Sequence, residues 1–337
     1  MRKVLVTGGS GYIGSHTILS FIEQGITEII SVDDYSNSSE DVYTKIEEIT
    51  GVKVHYYGIS VLSDAFYKIF EEHKNIDAII HFAAYKSVPE STEFPAMYMH
   101  NNLGSLTQVM LMCEKYRIPV LVFSSSCSVY GNIQTVQVDE NTPLSHPESP
   151  YAFTKRKGEE ILAEWVKYYK GTKVVNLRYF NPAGAYKNGL LGEQPGNRPA
   201  NLVPIICKAA KTGGELQIFG SDYNTKDGTC IRDYIHVSDI ADAHVAACKY
   251  TIENRESLVF DTFNLGSETG TTVLEAVAAF EAASGVKLKY NLAPRRAGDV
   301  AAIFSNSEKA NKVLGWKAKR SLEEIMLSAW NWSKNHY

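Results

Sequence analysis

A tyrosine and a lysine four positions apart are the residues of this chain whose types and spacing best suit proton-transfer chemistry. Tyr151 and Lys155 open a long helical segment, predicted to run from Tyr151 to Lys170 directly after Pro150. Side chains at positions i and i+4 lie one above the other on the same face of a helix. A free phenol titrates near pH ~10, and a cation a few ångströms away lowers its pKa because it favours the phenolate. The spacing therefore predicts a tyrosine that can act as a general base.

A glycine-rich segment near the N-terminus predicts a binding site for a dinucleotide. It follows Lys3–Val6, a short β-branched run typical of a buried parallel strand, and it precedes a predicted helix. Gly8 permits a tight turn, Gly11 lets the backbone approach a pyrophosphate, and Gly14 allows close packing of helix and strand. The N-terminus of the following helix then offers unpaired N–H groups to the phosphates.

An acidic residue at the end of the second predicted strand favours NAD over NADP. This strand, Glu28–Val32, ends at Asp33, nineteen positions after Gly14. A carboxylate here accepts hydrogen bonds from the ribose hydroxyls of adenosine and repels a 2′-phosphate. The next residues, 34–38, contain no Lys or Arg that would bind such a phosphate.

Further short apolar runs alternate with helical segments through the first half of the chain. The runs that we predict as strands are Lys53–Tyr57, Ala78–Phe82, Val120–Ser124 and Lys173–Leu177. Strands that alternate with helices imply an α/β fold with a Rossmann-type, doubly wound parallel sheet. Ligands of such sheets bind at the carboxyl ends of the strands. The serine run from Ser124 to Ser128 falls at that edge, so one of its hydroxyls is predicted to share a substrate hydroxyl with Tyr151.

The alternation breaks after the sixth predicted strand, where residues 188–204 are rich in Gly, Pro and Asn. We therefore expect residues 1–180 to form an NAD-binding Rossmann domain and residues 181–337 a smaller mixed α/β substrate-binding domain. In the second part the pattern predicts a helix from Asn201 to Lys211, an edge strand at Gln217–Gly220 and a strand at Arg232–Val237. The strand and helix near residues 232–250 are expected to return to the first domain.

Composition excludes several classes of function. The 337 residues are 44% hydrophobic and 21% charged with a net charge of -4, which is ordinary for a globular protein and favours neither nucleic acid nor an anionic membrane as partner. The five cysteines are widely spaced and form no C-x-x-C, which argues against a disulfide framework and against a metal site. Residues 1–7 leave no room for the apolar part of a signal peptide, and no window approaches the ~18 apolar residues of a membrane span. A cytoplasmic protein is expected.

Taken together and in order, the motifs resemble the extended short-chain dehydrogenase/reductase family, and within it the epimerases that act on carbon 4 of UDP-hexoses. The resemblance runs from Val4 to about Trp332. The motifs that carry it are Thr7–His16, His81–Ala83, Phe123–Ser126, Val129–Gly131, Ser149–Lys155, Arg178–Pro182, Asp227–Thr229, Arg232–Val237 and Ala293–Asp299.

The resemblance implies an NAD-dependent isomerase that interconverts UDP-galactose and UDP-glucose, with a UDP-sugar-binding second domain. Hydride leaves carbon 4, the 4-keto sugar rotates, and the hydride returns to the other face. The implied catalytic residues are Tyr151, Lys155 and Ser126. The implied cofactor-binding residues are Gly8, Gly11, Tyr12, Ile13, Gly14, Asp33, Asn37, Ser38, Ser60, Val61, Phe82, Ala83, Ala84, Lys86, Asn101, Ser124, Tyr151, Lys155 and Tyr179. The implied substrate-binding residues are Lys86, Ser126, Tyr151, Asn181, Asn201, Leu202, Gln217, Phe219, Arg232, Arg296, Asp299 and Ile303. The family also implies a homodimer packed through helices around residues 97–116 and 151–170.

The chain departs from the family pattern at several positions. Ser60 replaces an aspartate near the adenine, which predicts the loss of one contact to the base. Ala84 and Pro89 replace glycines, and Ala200 replaces an asparagine beside the substrate. Ile303 occupies a position where side-chain size controls the entry of N-acetylated sugars in the family. Isoleucine is intermediate in size, so acceptance of UDP-N-acetylhexosamines stays open.

Three other functions are compatible with the scaffold. A 4-epimerase of another sugar (a UDP-N-acetylhexosamine, UDP-pentose, UDP-uronate or free sugar) is the closest alternative. A sugar-nucleotide 4,6-dehydratase needs an added acid–base pair beside the serine run, and neither Cys127 nor Ser128 is acidic. A non-catalytic NAD-binding protein would have no need to keep Tyr151, Lys155 and Ser126 together.

Overall fold

The structure is a computed structural model that describes residues 1–133, 135–187, 189–194, 201–254, 256–296 and 299–336. Its helices are α1 (Tyr12–Glu23), α2 (Asp41–Thr50), α3 (Ala65–Glu72), α4 (Val88–Glu93), α5 (Pro95–Tyr116), α6 (Pro150–Tyr168), α7 (Leu202–Thr212), α8 (Val237–Glu253), α9 (Val273–Ser284), α10 (Glu308–Leu314) and α11 (Leu322–His336), with a short 3₁₀-helix at Cys127–Tyr130. Its strands are β1 (Lys3–Thr7), β2 (Glu28–Asp33), β3 (His55–Gly58), β4 (Ala78–His81), β5 (Val120–Ser126), β6 (Gln137–Val138), β7 (Lys173–Tyr179), β8 (Asn181–Ala183), β9 (Ala185–Tyr186), β10 (Leu191–Gly192), β11 (Glu215–Phe219), β12 (Ile231–Arg232), β13 (Tyr234–His236), β14 (Phe260–Leu265), β15 (Thr271–Thr272), β16 (Lys289–Ala293) and β17 (Phe304–Ser305). Among the described helices, none combines the length and the apolar character needed to cross a lipid bilayer.

A parallel sheet of seven strands organises the larger part of the molecule. Its strand order is β14-β7-β5-β4-β1-β2-β3, and neighbouring strands pair in parallel throughout. The strand order reverses between β1 and β4, and a crevice at the carboxyl ends of the strands is expected at such a point. The predicted doubly wound Rossmann-type sheet is confirmed.

Helices cover both faces of this sheet, because its central strands are buried on both sides. Residues of α1, α2 and α8, such as Phe21, Ile46 and Val245, pack on one face. Residues of α3, α5 and α6, such as Phe70 and Leu106, pack on the other face. The sheet therefore lies between two helical layers.

The helix that carries the tyrosine–lysine pair begins where the sequence predicts. Ser149 is its N-cap and accepts a hydrogen bond from the backbone N–H of Ala152 at 3.1 Å, while Pro150 occupies the first turn. Both features favour the start of a helix, since the cap satisfies a free N–H group and proline has none to satisfy. The helix α6 ends at Tyr168, two residues before the predicted end.

Two predictions about the second half of the chain are corrected. The single strand predicted at residues 232–237 is wrong: β12 and β13 are separate, and α8 begins at Val237. The two strands have different partners, since β12 pairs with β15 and β13 pairs with β8, and the buried carboxylate of Asp233 between them accepts hydrogen bonds from Ser267 and Ser305. Of the strand and helix near residues 232–250, the helix α8 packs on the large sheet as expected, but the strand β13 pairs with β8, and the strand that joins the large sheet is β14, which was not predicted. The division of the chain at residue 180 stays a prediction.

The smaller part packs helices α7, α9 and α11 around its own core. This core contains Ile206, Phe280 and Met326. The predicted edge strand is β11, which pairs in parallel with β16, and the helix predicted from Asn201 is α7. Of these elements, α7, β11 and the start of α9 line the cavity described next.

Candidate active site

A cavity of about 970 Å³ runs from the glycine-rich turn across the carboxyl edge of the sheet to the smaller part. Every residue that the sequence analysis assigned to the cofactor, to the substrate or to catalysis lines this cavity. The assigned residues come from α1, α5, α6, α7, from strands β2, β5, β7, β8, β11 and β12, and from the segments after β1, β2, β3, β4 and β16, so the fold brings distant parts of the chain together. Their individual roles stay predictions. Ala200, predicted beside the substrate, lies outside the described residues.

Backbone atoms leave no space for a side chain at two positions of the glycine-rich turn between β1 and α1. Gly8 has φ +72°, a left-handed conformation, and a Cβ there would lie 2.8 Å from the backbone N of Ala83. A Cβ on Gly14 would lie 2.2 Å from the carbonyl oxygen of Gly8. Glycine is required at both positions, which keeps the first turn of α1 open to a ligand. An open helix N-terminus of this kind fits the pyrophosphate of a dinucleotide.

Asp33 is held in place at the end of β2. One carboxylate oxygen accepts from the backbone N–H of Ser10 at 3.1 Å, and the other accepts from Ser38 Oγ at 3.1 Å and the backbone N–H of Tyr35 at 3.0 Å. A carboxylate has about four acceptor positions, so with three of them occupied it keeps capacity for one ribose hydroxyl. Its position and its negative charge fit the adenosine ribose of NAD.

The catalytic candidates meet where β5 ends beside α6. Lys155 is buried and its Nζ donates to the carbonyl oxygen of Ser124 at 2.6 Å. The same Nζ lies 6.0 Å from the ring centroid of Tyr151. Ser126 stands at the end of β5, and its Oγ accepts from the backbone N–H of Ser128 at 3.2 Å. A phenol, an ammonium and a hydroxyl therefore lie together in the middle of the cavity.

Burial controls the electrostatics of this group. It raises the pKa of Tyr151 to about 12, although hydrogen bonding by Ser126 acts in the opposite direction. It lowers the pKa of Lys155 to about 7, although the Glu159 carboxylate acts to raise it. Desolvation is thus the largest influence on the pKa of Tyr151 in the protein alone, and the lowering expected from Lys155 stays a prediction for the site with its cofactor. A phenolate at neutral pH requires further positive charge beside Tyr151.

A histidine that the sequence analysis did not identify orients Tyr179. Tyr179 Oη lies 2.7 Å from His244 Nε2, and His244 Nδ1 lies 2.9 Å from the carbonyl oxygen of Ile240. Because a carbonyl only accepts, Nδ1 carries the proton and Nε2 accepts from the tyrosine. Burial lowers the pKa of His244 to about 4, so the ring stays neutral. Only the tertiary packing of α8 against β7 brings this pair together.

Two arginines meet at the end of the cavity away from the glycine-rich turn. Arg232 Nη1 donates to the carbonyl oxygens of Ile231 at 2.8 Å and Val300 at 2.7 Å, and its Nη2 lies 3.6 Å from Asp299 Oδ1. Arg296 Nε lies 3.3 Å from Asp299 Oδ2. Guanidinium groups bind phosphate oxygens in a bidentate manner. Two of them beside one cavity wall fit a diphosphate.

Two buried polar atoms in the cavity wall have no hydrogen-bond partner among the described residues. They are Asn181 Oδ1 and Ser128 Oγ. Buried polar atoms in native proteins are rarely left unpaired. We attribute both to contacts that a bound ligand completes. Ser128 was not predicted as a site residue, and its signal in the sequence is its place two positions after Ser126 in the serine run.

Comparison with known proteins identifies the family. A model of the NAD dependent epimerase/dehydratase family matches residues 4–266. The chain belongs to this family. Membership confirms the family resemblance and the dependence on NAD that the motifs predict. The open glycine turn and the placement of Asp33 agree with that cofactor.

Curated members of the family are similar over nearly the whole chain. The UDP-glucose 4-epimerase of Bacillus subtilis (strain 168) is 43% identical over 338 residues, which cover 99% of this chain and 97% of the relative. The UDP-glucose 4-epimerase of Dictyostelium discoideum is 43% identical, covering 98% of this chain and 95% of the relative.

Solved structures of the family are similar in fold. The UDP-glucose 4-epimerase from Bifidobacterium longum, in complex with NAD+ and UDP, has a TM-score of 0.93 at 40% identity and covers 99% of both chains. The UDP-glucose 4-epimerase from Stenotrophomonas maltophila, with bound NAD and formylated UDP-arabinopyranose, has a TM-score of 0.95 at 38% identity. That alignment covers 99% of this chain and 98% of the other chain.

Proposed function

We propose that the protein interconverts UDP-galactose and UDP-glucose by inverting carbon 4 of the hexose. The observation that carries the proposal is the cavity itself. It joins the glycine turn, Tyr151 with the buried Lys155, and the two arginines in one continuous volume. The names of the relatives and the NAD and UDP in the solved structures support the same substrate class.

The cofactor would lie along the first half of the cavity. The turn with Gly8, Gly11 and Gly14 would hold the pyrophosphate, and Asp33 would accept a hydrogen bond from the adenosine ribose. Tyr179, oriented by His244, would stand beside the nicotinamide. When bound, NAD supplies the acceptor and later the donor of the hydride at carbon 4.

The proton would be handled by the residues at the end of β5 and the start of α6. Tyr151 Oη takes the proton of the 4-hydroxyl and returns it after the sugar has turned. Lys155 stabilises the phenolate through its positive charge. Ser126 hydrogen-bonds the reacting oxygen and holds it next to the phenol.

The diphosphate would be the anchor of the substrate. Arg232 and Arg296 hold its oxygens with equal strength before and after the reaction, so this binding is uniform and leaves the hexose free to turn. Asn181, whose Oδ1 has no partner among the described residues, offers an acceptor to the hexose. Ile303 is buried in the cavity wall and limits the space for a larger substituent.

We further propose a cytoplasmic homodimer that acts in galactose metabolism. The helices α5 and α6 pack together and expose apolar side chains, among them Met97, Leu111 and Tyr168. Tyr168 is 82% exposed, and such a surface suits a second copy of the chain. Analytical ultracentrifugation with a Leu111→Glu variant tests this assembly, which we expect the charge to weaken.

An anomeric-proton NMR time course with UDP-galactose and no added NAD tests the proposed function. We expect conversion to a mixture containing UDP-glucose, because the cofactor is regenerated in each cycle and remains bound. The Tyr151→Phe variant should retain NAD and lose turnover. If the wild type releases NAD on denaturation but does not convert UDP-galactose, the protein binds NAD and UDP-galactose is excluded as its substrate. UDP-N-acetylglucosamine and UDP-pentoses are the substrates to compare in that case.

A further inference from the structure

A buried ion pair lies directly behind the catalytic candidates and has no role in the reaction as proposed above. Glu159 is one helical turn after Lys155 on α6, and Arg178 precedes Tyr179 on β7. Arg178 Nε donates to Glu159 Oε1 at 2.9 Å, and its Nη2 donates to Oε2 at 2.7 Å. Both residues are buried, with 7% of Glu159 and 6% of Arg178 exposed. The geometry is bidentate and therefore sensitive to small displacements.

A serine and a tyrosine extend this pair into its surroundings. Ser125 Oγ donates to Glu159 Oε1. Arg178 Nη1 donates to Tyr130 Oη at 3.0 Å, and Tyr130 in turn donates to Asn264 Oδ1 at 2.8 Å on β14. The carboxylate of Glu159 is thus bonded to the ends of β5 and β7 while it belongs to α6.

The strands β5 and β7 and the helix α6 each carry a residue of the proposed reaction close to the residue that takes part in the Glu159 contacts. Ser125 is adjacent to Ser126, Arg178 is adjacent to Tyr179, and Glu159 lies one turn from Lys155. We propose that the Glu159–Arg178 pair, together with Ser125, is a positioning element that fixes Ser126, Tyr151 and Tyr179 relative to one another. Desolvation offsets the attraction within a buried ion pair, so such a pair is weak evidence for a contribution to stability. Fixing the relative positions of nearby side chains explains its presence better. The inference rests on the proposed function.

The charge of Glu159 also acts on Lys155. The titratable groups that face Lys155 include Tyr151 and Glu159 on α6 and His81 at the end of β4. Burial lowers the pKa of His81 to about 3, so this ring stays neutral. Burial lowers the pKa of Lys155 to about 7, and Glu159 works against that loss of charge. Without the carboxylate, Lys155 would lose its proton at lower pH.

Four variants test the inference. Glu159→Gln keeps the shape of the side chain and removes its charge. The double variant Glu159→Gln/Arg178→Gln removes both charges and leaves no unpaired ion. Ser125→Ala removes one hydrogen bond. Glu160→Gln is the matched control, since Glu160 is the next residue on α6 and pairs with Arg156 and Lys157 at the surface.

We expect Glu159→Gln to lower kcat on the order of 100-fold while KM for UDP-galactose changes less than about threefold, because a misplacement near 1 Å costs about that factor. The alkaline limb of kcat/KM should move to lower pH. The double variant should lose kcat to a similar extent, Ser125→Ala should lose about tenfold, and Glu160→Gln should match the wild type. A crystal structure of Glu159→Gln should show Ser126 or Tyr151 displaced relative to Tyr179.

A kcat within about twofold of wild type in both Glu159→Gln and the double variant would overturn the inference. Superposable positions of Ser126, Tyr151 and Tyr179 in the variant crystal structure would overturn it as well. If Glu159→Gln does not fold, the double variant decides. Wild-type protein that leaves UDP-galactose unchanged would reject the proposed function instead, and the variant crystal structures would still decide the positioning role.

Discussion

Replacing Lys155 by methionine tests the electrostatic reasoning about the active site most directly. Methionine keeps the length and apolar character of the stem and removes the charge. In the structure the ammonium lies 6.0 Å from the ring centroid of Tyr151 and donates to the carbonyl oxygen of Ser124 at 2.6 Å. The variant therefore loses the cation that favours the phenolate and leaves a buried carbonyl without its donor.

The expected size of the effect follows from the distance. With the 6.0 Å to the ring centroid taken as the separation of the charges and an effective dielectric constant of about 20, one unit charge stabilises the phenolate by roughly 3 kcal/mol. This corresponds to about two pKa units, so the phenolate fraction at neutral pH should fall roughly 100-fold. The ammonium is present below the Lys155 pKa of about 7 and is lost as the pH rises through it. The difference between variant and wild type should therefore be largest near pH ~6 and shrink above pH ~8.

The assay is the pH dependence of kcat for conversion of UDP-galactose, with bound NAD measured after denaturation to correct for cofactor loss. Lys157→Met is the matched control, because Lys157 is an exposed lysine on the same helix that pairs with Glu160. We expect kcat of Lys155→Met to fall roughly 100-fold at pH ~6, and Lys157→Met to behave like the wild type. A loss below about threefold, or a loss that grows with pH, would refute the assignment of Lys155 as the cation that supports Tyr151.

Three further predictions follow from other parts of the molecule. Gly14→Ala should abolish retention of NAD, because the added Cβ would lie 2.2 Å from the carbonyl oxygen of Gly8. In the control Gly285→Ala the added Cβ would meet no atom within 4 Å, so this variant should retain the cofactor. The amount of NAD released on denaturation measures retention in both variants. Asp33→Asn should weaken the preference for NAD over NADP by about tenfold, measured by calorimetric titration of cofactor-free protein, and an unchanged preference would contradict the role of the carboxylate. Stability should fall as the pH drops below ~6.5, because burial lowers the pKa of four histidines to about 3 or 4 while the unfolded chain takes up protons near pH ~6.5. The four are His16, His81, His236 and His244. Each contributes at most about 1.4 kcal/mol per pH unit between pH ~6.5 and ~4, and urea midpoints that are equal at pH ~7 and ~5 would exclude this linkage.

The fold was predictable where neighbouring residues carry the information. Buried parallel strands such as β1 and β4 are continuous apolar runs, and they are recognisable without any tertiary contact. The strand β14 was missed because Asp261 and Asn264 interrupt its apolar pattern. Both polar side chains are satisfied by distant partners: Lys309 pairs with Asp261, and Tyr130 donates to Asn264. A strand of this kind is determined by contacts that the local sequence does not contain.

The site was predictable to the same extent. The glycine turn, Asp33 and the Tyr151–Lys155 spacing are local patterns, and all of these residues line the cavity. The partners that orient them are not local: His244 lies 65 positions after Tyr179. A local sequence pattern can thus identify the residues of a site, whereas the contacts that orient their side chains depend on how the helices pack on the sheet.

The pKa values of Tyr151 and Lys155 could likewise not be predicted from the local sequence alone. Helical spacing predicts that Lys155 lies near Tyr151, and the structure places its ammonium 6.0 Å from the ring. The net pKa also depends on how much water the cavity excludes, and that desolvation holds the phenol at a pKa of about 12 and the ammonium at about 7. The same burial thus raises the pKa of the phenol and lowers the pKa of the ammonium. A second positive charge in the cavity would lower the Tyr151 pKa, so the protein should hold its general base neutral until such a charge is present. Tyrosinate absorbance titrated with and without NAD, with Tyr151→Phe as the blank, should show ionisation of one tyrosine at lower pH only when NAD is bound.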